Sequence, residues 1–330
     1  VSKGDLPFNS VAILNENNSL LGDLLGFDFI TKTDFIVATK SGLIVTYNTK
    51  GDRLQRFSKI GTGPYEYLFP SVIKVANNKI YVWCEQLLKL IVYDLKGKPL
   101  EEYSDFSKAI KDFVIRDNIV YFYMSGGGLY ALIEKYDLNK REVIGFYGKE
   151  ENEDEAMGLN ACSGGLLLEK ETLHYVRAGS LSIESVNNDV NKNKLIKDNE
   201  FVIKKLEDSE FAELKNSMKS VLTYISNNSY VTGLFKFGNN YLVKTEIGSL
   251  EYESFTDLKT WNTSKRFEKY YILDKDLSLI ETYTLPYSLN RNNCWFRSNG
   301  DDLFFIGMVE TEGHDDYQYQ LNKINLSVND

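Results

Sequence analysis

A chain of 330 residues with a formal charge of −9 at pH 7 carries no basic stripe to hold nucleic acid phosphates, and an anionic membrane surface is no better a direct partner. No apolar run approaches the ~18–20 residues that a spanning helix needs. The 22 Tyr, 19 Phe and 3 Trp, against only 5 Pro, suit sheets packed face to face, and closed all-β folds reach this length as one domain.

Residues 1–8 read as a lead-in, and residues 10–14 (SVAIL) as a short strand with no partner nearby. A first unit covers about 22–58, and a second about 68–103. The second is the clearest. Its runs IYVW (80–83) and LIVY (90–93) are apolar on both faces, as in a sheet covered on both sides, and PLEEY (99–103) alternates. Between them DLKGK places Gly97 where a turn needs positive φ. The third unit covers about 110–147, with a hairpin turn at SGGG (125–128). The acidic stretch 148–156 (GKEENEDEA) reads as an exposed loop, because its like charges repel. The fourth unit, about 159–196, is the least regular. The fifth covers about 228–285 and the sixth about 292–326.

The units repeat. Tyr47, Tyr93 and Tyr136 each open a YN/YD turn, spaced 46 and then 43 residues apart, which is the period of propeller blades. The reading is one domain over 1–330, an all-β six-bladed propeller with four-stranded antiparallel blades. The sixth unit has room for three strands only. Strand 10–14 is therefore expected to complete it, since an open blade would leave a bare edge. One segment has helical period. Phe211, Leu214, Met218, Val221, Leu222 and Ile225 share one face of a helix over 209–225, with Asp208 or Ser209 as cap. It is expected on a rim of the propeller or as a lid beside a channel mouth.

The segment IGTGPYEY (60–67) and the turn VYDLKG (92–97) resemble the G-x-G-P-x-E-[YF] and V-Y-D-x-x-G segments of six-bladed β-propeller proteins of the Bacteroides lipoprotein type, relatives of NHL-repeat and TolB-like propellers. The similarity is strongest over about 35–147. It implies the propeller fold and an exported location, in the periplasm or at the outer membrane and cell surface. It implies a membrane link only through a lipid anchor upstream of Val1, because Cys84, Cys162 and Cys294 all lie far from the start.

Ligand contacts are expected from Tyr65, Glu66 and Tyr67 if segment 61–67 faces a ligand, although a rigid corner between blades is the more ordinary use of such a segment. Arg291, Trp295 and Arg297 lead into an innermost strand near a channel mouth and could stack on sugars or pair with carboxylates, or simply pack between blades, as could Trp83 and Trp261. Glu310, Glu312, His314, Asp315 and Asp316 form the densest set of metal-ligand types, and calcium is the cation they would suit. Their spacing fits no EF-hand, and a solvated loop is the plainer reading. No cofactor is expected. His174, one of two histidines, lies in the strand-like TLHYV, and no G-x-S-x-G elbow is present, so no catalytic set is assigned. The cysteines read as buried thiols. Together these point to an exported, non-enzymatic binding propeller for a carbohydrate, peptide or protein ligand. The alternatives are a metal-dependent, lactonase-like hydrolase and a structural subunit of a cell-surface assembly.

Overall fold

The computed structural model describes residues 2–3, 7–14, 23–104, 106, 110–125, 131–159, 164–187, 190–248, 267–286, 295–310 and 317–325. Two strands come first, β1 (Ser2–Lys3) and β2 (Phe8–Ile13). The first blade is β3 (Leu24–Phe29), β4 (Asp34–Thr39), β5 (Ile44–Asn48) and β6 (Arg53–Phe57). The second is β7 (Pro70–Ala76), β8 (Lys79–Cys84), β9 (Lys89–Asp94) and β10 (Pro99–Tyr103). The third is β11 (Ile110–Arg116), β12 (Ile119–Met124), β13 (Ile133–Asp137) and β14 (Glu142–Tyr147), followed by helix α1 (Asn152–Gly158). The fourth is β15 (Gly165–Glu169), β16 (Thr172–Val176), β17 (Ser182–Asn187) and β18 (Val190–Leu195). Helices α2 (Asp208–Leu214) and α3 (Met218–Asn227) follow it. The fifth is β19 (Tyr230–Phe237), β20 (Asn240–Ile247), β21 (Phe267–Leu273) and β22 (Leu279–Pro286); the sixth is β23 (Trp295–Asn299), β24 (Asp302–Glu310) and β25 (Tyr317–Ile324).

Each blade is an antiparallel meander in which consecutive strands are neighbours. The sixth has the order β2-β25-β24-β23, so the N-terminal strand supplies its outer edge, as the strand count requires. The fifth gains β1 as an additional strand, parallel to β22. The architecture is a six-bladed, all-β propeller of four-stranded blades.

The Tyr-Asp repeat has a physical cause. In each of four hairpins that join the third and fourth strands of a blade, an Asn or Asp side chain accepts two backbone N–H groups of the turn. Asn48 takes those of Lys50 and Asp52, Asp94 those of Lys96 and Lys98, Asp137 those of Asn139 and Lys140, and Asp274 those of Asp276 and Ser278. The same turns contain a left-handed residue: Gly51, Gly97, Arg141 and Leu277.

Two compact units are present, one of residues 1–6 and 109–288, the other of residues 7–108 and 289–330. The first holds blades three to five and the helices. Its blade cores are apolar on both faces of the sheets, with Tyr123, Ile133, Leu166 and Tyr175 in one cluster and Ile183, Val231, Val243 and Tyr271 in another. The second unit holds blades six, one and two. Phe27, Phe35, Val37, Phe304 and Leu321 fill one of its clusters, and Ile36, Ile80, Val82, Cys84 and Tyr93 the next. Cys84 is a buried free thiol; Cys162 and Cys294 lie outside the described residues, as does the turn at 126–128.

The two ends of the sheets differ. At one end, strands are joined by hairpins of two to five residues. At the other lie the connections between blades and the loops between second and third strands, including α1, α2 and α3.

Two local expectations need correction. The helix expected over 209–225 is two helices, α2 and α3, because Ser217 interrupts the run and accepts the N–H of Ser220 as the cap of α3. Met218, which the period assigns to the buried face, is largely exposed. The acidic stretch is not an exposed loop: residues 152–158 form α1, with Glu153 and Asp154 buried. The two buried charges are tolerated because both have partners far along the chain. Glu153 accepts the Leu206 N–H at 2.8 Å and pairs with Lys205. Asp154 accepts the N–H groups of Gly179 and Glu151 and lies 3.5 Å from the Arg177 guanidinium. The apolar sides of the three helices join in one cluster around Ala156, Phe211, Val221 and Ile225.

Candidate functional site

The corner that joins β6 to β7 is built around buried and half-buried polar groups. The Glu66 carboxylate accepts the Gly63 N–H at 2.9 Å, and its Oε2 fills the space beside two glycines. A Cβ on Gly61 would lie 1.9 Å from that oxygen, so a side chain there would push the carboxylate off the Gly63 N–H. Lys89, buried at the start of β9, donates to the Gly63 carbonyl at 3.0 Å and to Glu102 at 3.3 Å. Glu102 in turn accepts the Tyr65 N–H, and the Tyr93 hydroxyl donates to the Tyr65 carbonyl at 2.6 Å. Burial, reinforced by Tyr67 and Glu102, pushes the Tyr93 hydroxyl far above its ordinary range, so it stays a donor.

Tyr65 itself has φ 59, a left-handed conformation that costs a non-glycine residue about 1–2 kcal/mol. Both of its backbone polar groups are held by side chains of β9 and β10, which fixes that conformation. Its side chain remains exposed, together with those of Ile60 and Leu68, three large hydrophobic groups within nine residues. Tyr67 is fully buried; its hydroxyl donates to the Gly42 carbonyl and accepts the Lys59 N–H, and burial pushes its pKa up to about 12.

The structure therefore brings Tyr65, Glu66 and Tyr67 together but gives them different surroundings. Tyr65 is displayed, Glu66 is half-buried as a brace, and Tyr67 lies inside. Arg297 does not join them. It sits at the middle of β23, with Nη1 donating to the Phe296 carbonyl at 2.7 Å and its guanidinium 5.9 Å from the centre of the Phe27 ring. Arg291 and the side chain of Trp295 lie outside the described residues, as do Trp261, the side chain of Glu310, and Glu312, His314, Asp315 and Asp316. Trp83 is buried against Phe106. Among the described residues no three His, Cys, Asp or Glu side chains are grouped to hold a metal, and no helix is long and apolar enough to cross a membrane.

Sequence reasoning missed Lys89, Tyr93 and Glu102. The one local signal was a lysine opening the otherwise apolar run KLIVY. His174 lies mid-strand in β16 and is buried, with Nδ1 2.8 Å from Ser185 Oγ and Nε2 4.0 Å from Glu169. The serine is as buried as the imidazole, in the middle of β17.

The fold and this corner define a propeller, and known proteins agree. Residues 17–127 match the DUF5128 family, described as a 6-bladed beta-propeller. No curated protein matches the chain. Among solved structures, the chain is similar to a member of the DUF4221 family from Bacteroides vulgatus, at 14% identity and a TM-score of 0.68, over 97% of this chain and 98% of that one. It is also similar to a putative exported protein from Bacteroides fragilis, at 13% identity and a TM-score of 0.66, over 97% and 95%. U3-55K aligns at 8% identity and a TM-score of 0.53, over 95% and 98%. At these identities the likeness is one of fold.

Proposed function

We propose that the protein is an exported, non-enzymatic binding propeller whose partner is a peptide or protein docking on the corner around Tyr65. The observation that carries this reading is the cost accepted to display one ring. A tyrosine is held left-handed by Glu102 and Tyr93, with a buried lysine beneath, while Ile60 and Leu68 stay exposed on the same corner. Exposed apolar groups on a rigid support are the usual centre of a protein contact. The corner lies at the end of the blades that carries the long connections, where sequence can vary without touching the sheets. Export is supported by the sequence resemblance and by the likeness to the exported Bacteroides fragilis protein.

The test is a peptide-library and glycan-array screen of the whole chain beside Tyr65→Ala. Selected peptides should bind the natural protein and lose about tenfold or more in affinity to the variant, as expected for an aromatic anchor. Binding of glycans alone would replace the peptide partner with a carbohydrate. Equal peptide binding by both proteins would remove the corner from the site.

A further inference from the structure

The chain contains one Asn-Gly pair, Asn299-Gly300, and it lies at the tip of the sixth blade. β23 ends at Asn299 and β24 begins at Asp302, so Gly300 and Asp301 are the whole turn, with Asn299 directly opposite Asp302. Gly300 is exposed and has φ 64, and a Cβ there would find no atom within 4 Å.

Asn299 also ties the sixth blade to the first, both in the same compact unit. Its Nδ2 donates to the carbonyls of Thr31 at 3.3 Å and Lys32 at 3.0 Å, in the turn between β3 and β4. That turn is fixed from within. The Thr31 hydroxyl accepts the N–H groups of Thr33 and Asp34, and the N–H groups of Ile30 and Thr31 donate to the Asp34 carbonyl. Carbonyl oxygens only accept, so the tie needs an NH2 group at position 299.

We propose that Asn299 is a self-modification site, where the side-chain amide becomes a carboxylate and releases this tie. The Gly300 nitrogen attacks Cγ of Asn299. The N–Cγ bond forms, the Cγ–Nδ2 bond breaks, and Nδ2 leaves as ammonia with the proton of the attacking N–H. Water then adds to either carbonyl of the five-membered imide. Opening on one side gives aspartate. Opening on the other gives isoaspartate, whose main chain runs through the former side chain. Water is the only co-reactant. Glycine favours the step because no side chain crowds its nitrogen and its backbone turns freely. The hold on Asn299 is two neutral hydrogen bonds at a half-exposed residue, a modest restraint that local opening breaks repeatedly.

The aspartate product sets a carboxylate against the Thr31 and Lys32 carbonyls. It also stands beside Asp301 and Asp302, and Asp302 is already paired with Lys323 at 2.8 Å. The exposed Lys32 ammonium offsets charge but restores neither bond. The isoaspartate product adds a carbon to the main chain at the last residue of β23 and shifts its pairing with Asp302. Both products free the tip of the sixth blade from that of the first.

The test is peptide mapping by mass spectrometry of the full folded chain aged in mildly alkaline buffer, with an isoaspartyl methyltransferase assay on the same samples. Conversion should appear at Asn299 before any other asparagine, as the mass gain of OH over NH2 and a mixture of aspartate and isoaspartate. Gly300→Asn should slow it severalfold, since asparagine tolerates a left-handed φ and has room here but crowds the nitrogen. Asn299→Gln should show no conversion at that position over the same time, because its longer side chain would have to close a six-membered ring. Asn299→Asp installs one product without ageing. It should lower the thermal midpoint and speed hydrogen exchange in residues 30–34 and 299–302, with exchange in the second blade unchanged. An Asn299 that stays intact while other asparagines convert, or a rate unaffected by Gly300→Asn, would overturn the site. Equal exchange in Asn299→Asp and the natural protein would overturn release of the tie as its consequence.

Discussion

Phe8 lies directly opposite Ile324 in the antiparallel pairing of β2 with β25. The pairing starts and finishes with further backbone bonds, from Asn325 N–H to the Pro7 carbonyl and from Leu14 N–H to the Tyr319 carbonyl, both 2.9 Å. Strands from the two ends of the described chain thus share one sheet, and Leu14 is buried in the cluster that also holds Phe27, Phe35 and Leu321. Leu14→Ala should therefore lower stability by about 2–4 kcal/mol, a core-truncation value, although the residue is near the start of the chain. Removing residues 1–14 should cost more, because it also bares the edge of β25. Urea unfolding measures both, and an unchanged midpoint for Leu14→Ala would mean that the strand does not close the blade in solution.

A second prediction separates backbone strain from packing. Gly97 and Gly300 both have left-handed φ, 78 and 64, so alanine at either should cost about 1 kcal/mol through the backbone. Only Gly97 is crowded: a Cβ there would lie 2.9 Å from the Phe57 ring, whereas at Gly300 nothing lies within 4 Å. Gly97→Ala should thus lose about 1–3 kcal/mol more than Gly300→Ala, the cost of displacing packed atoms. Thermal denaturation of the two variants side by side reads the difference.

The same turns show why the architecture was legible in the sequence. Each Asp or Asn at the head of a third-to-fourth-strand hairpin makes bonds two to four residues away, so the whole device fits in a short window and recurs with the blade. The fourth blade was obscure for the opposite reason. Its outer strand β18 is exposed along its length and reads VNKNKL, so no burial pattern marks it. The acidic helix was misread because its counter-charges come from far along the chain, Arg177 and Lys205 among them. At the corner, glycines and proline announced a special backbone, but nothing local indicated that Lys89 and Glu102 would hold it, or that Tyr67 would point inward while Tyr65 pointed out.

Asp154 anchors α1 to the loop between β16 and β17, and the cost of its loss should be large. Its carboxylate is fully buried, accepts Gly179 N–H at 2.8 Å and Glu151 N–H at 3.1 Å, and faces Arg177. Arg177 is shared with Glu184 at 3.1 Å, so removing Asp154 unbalances a buried group of charges. Asp154→Ala should destabilise by about 3–5 kcal/mol, the usual effect of deleting one side of a buried pair. Hydrogen exchange at the Gly179 amide should accelerate by more than the global loss accounts for, because that N–H would lose its acceptor. Unchanged protection there would mean that α1 is held by its apolar contacts alone.

The last prediction concerns acid. His174 is surrounded by Ser185 from β17, Glu169 from β15, Lys236 from β19 and the Tyr241 ring from β20. Burial lowers its pKa and outweighs Glu169, which acts in the opposite direction. A histidine with a depressed folded pKa binds its proton less readily folded than unfolded. Stability should therefore be complete above the unfolded value of about 6.5 and should fall as pH drops from there through the folded pKa. Glu169 has its own pKa lowered by the hydrogen bonds from Lys236 and Tyr241, with burial opposing, so its contribution is lost only lower, as pH falls through the carboxylate range. The window from about pH 6.5 to 5 thus reports His174 among these neighbours. His174→Gln, which can still bond Ser185, should flatten the urea midpoint across that window while leaving the loss below about pH 4.5 in place. A slope from pH 6.5 to 5 that survives the substitution would assign the acid sensitivity to other groups.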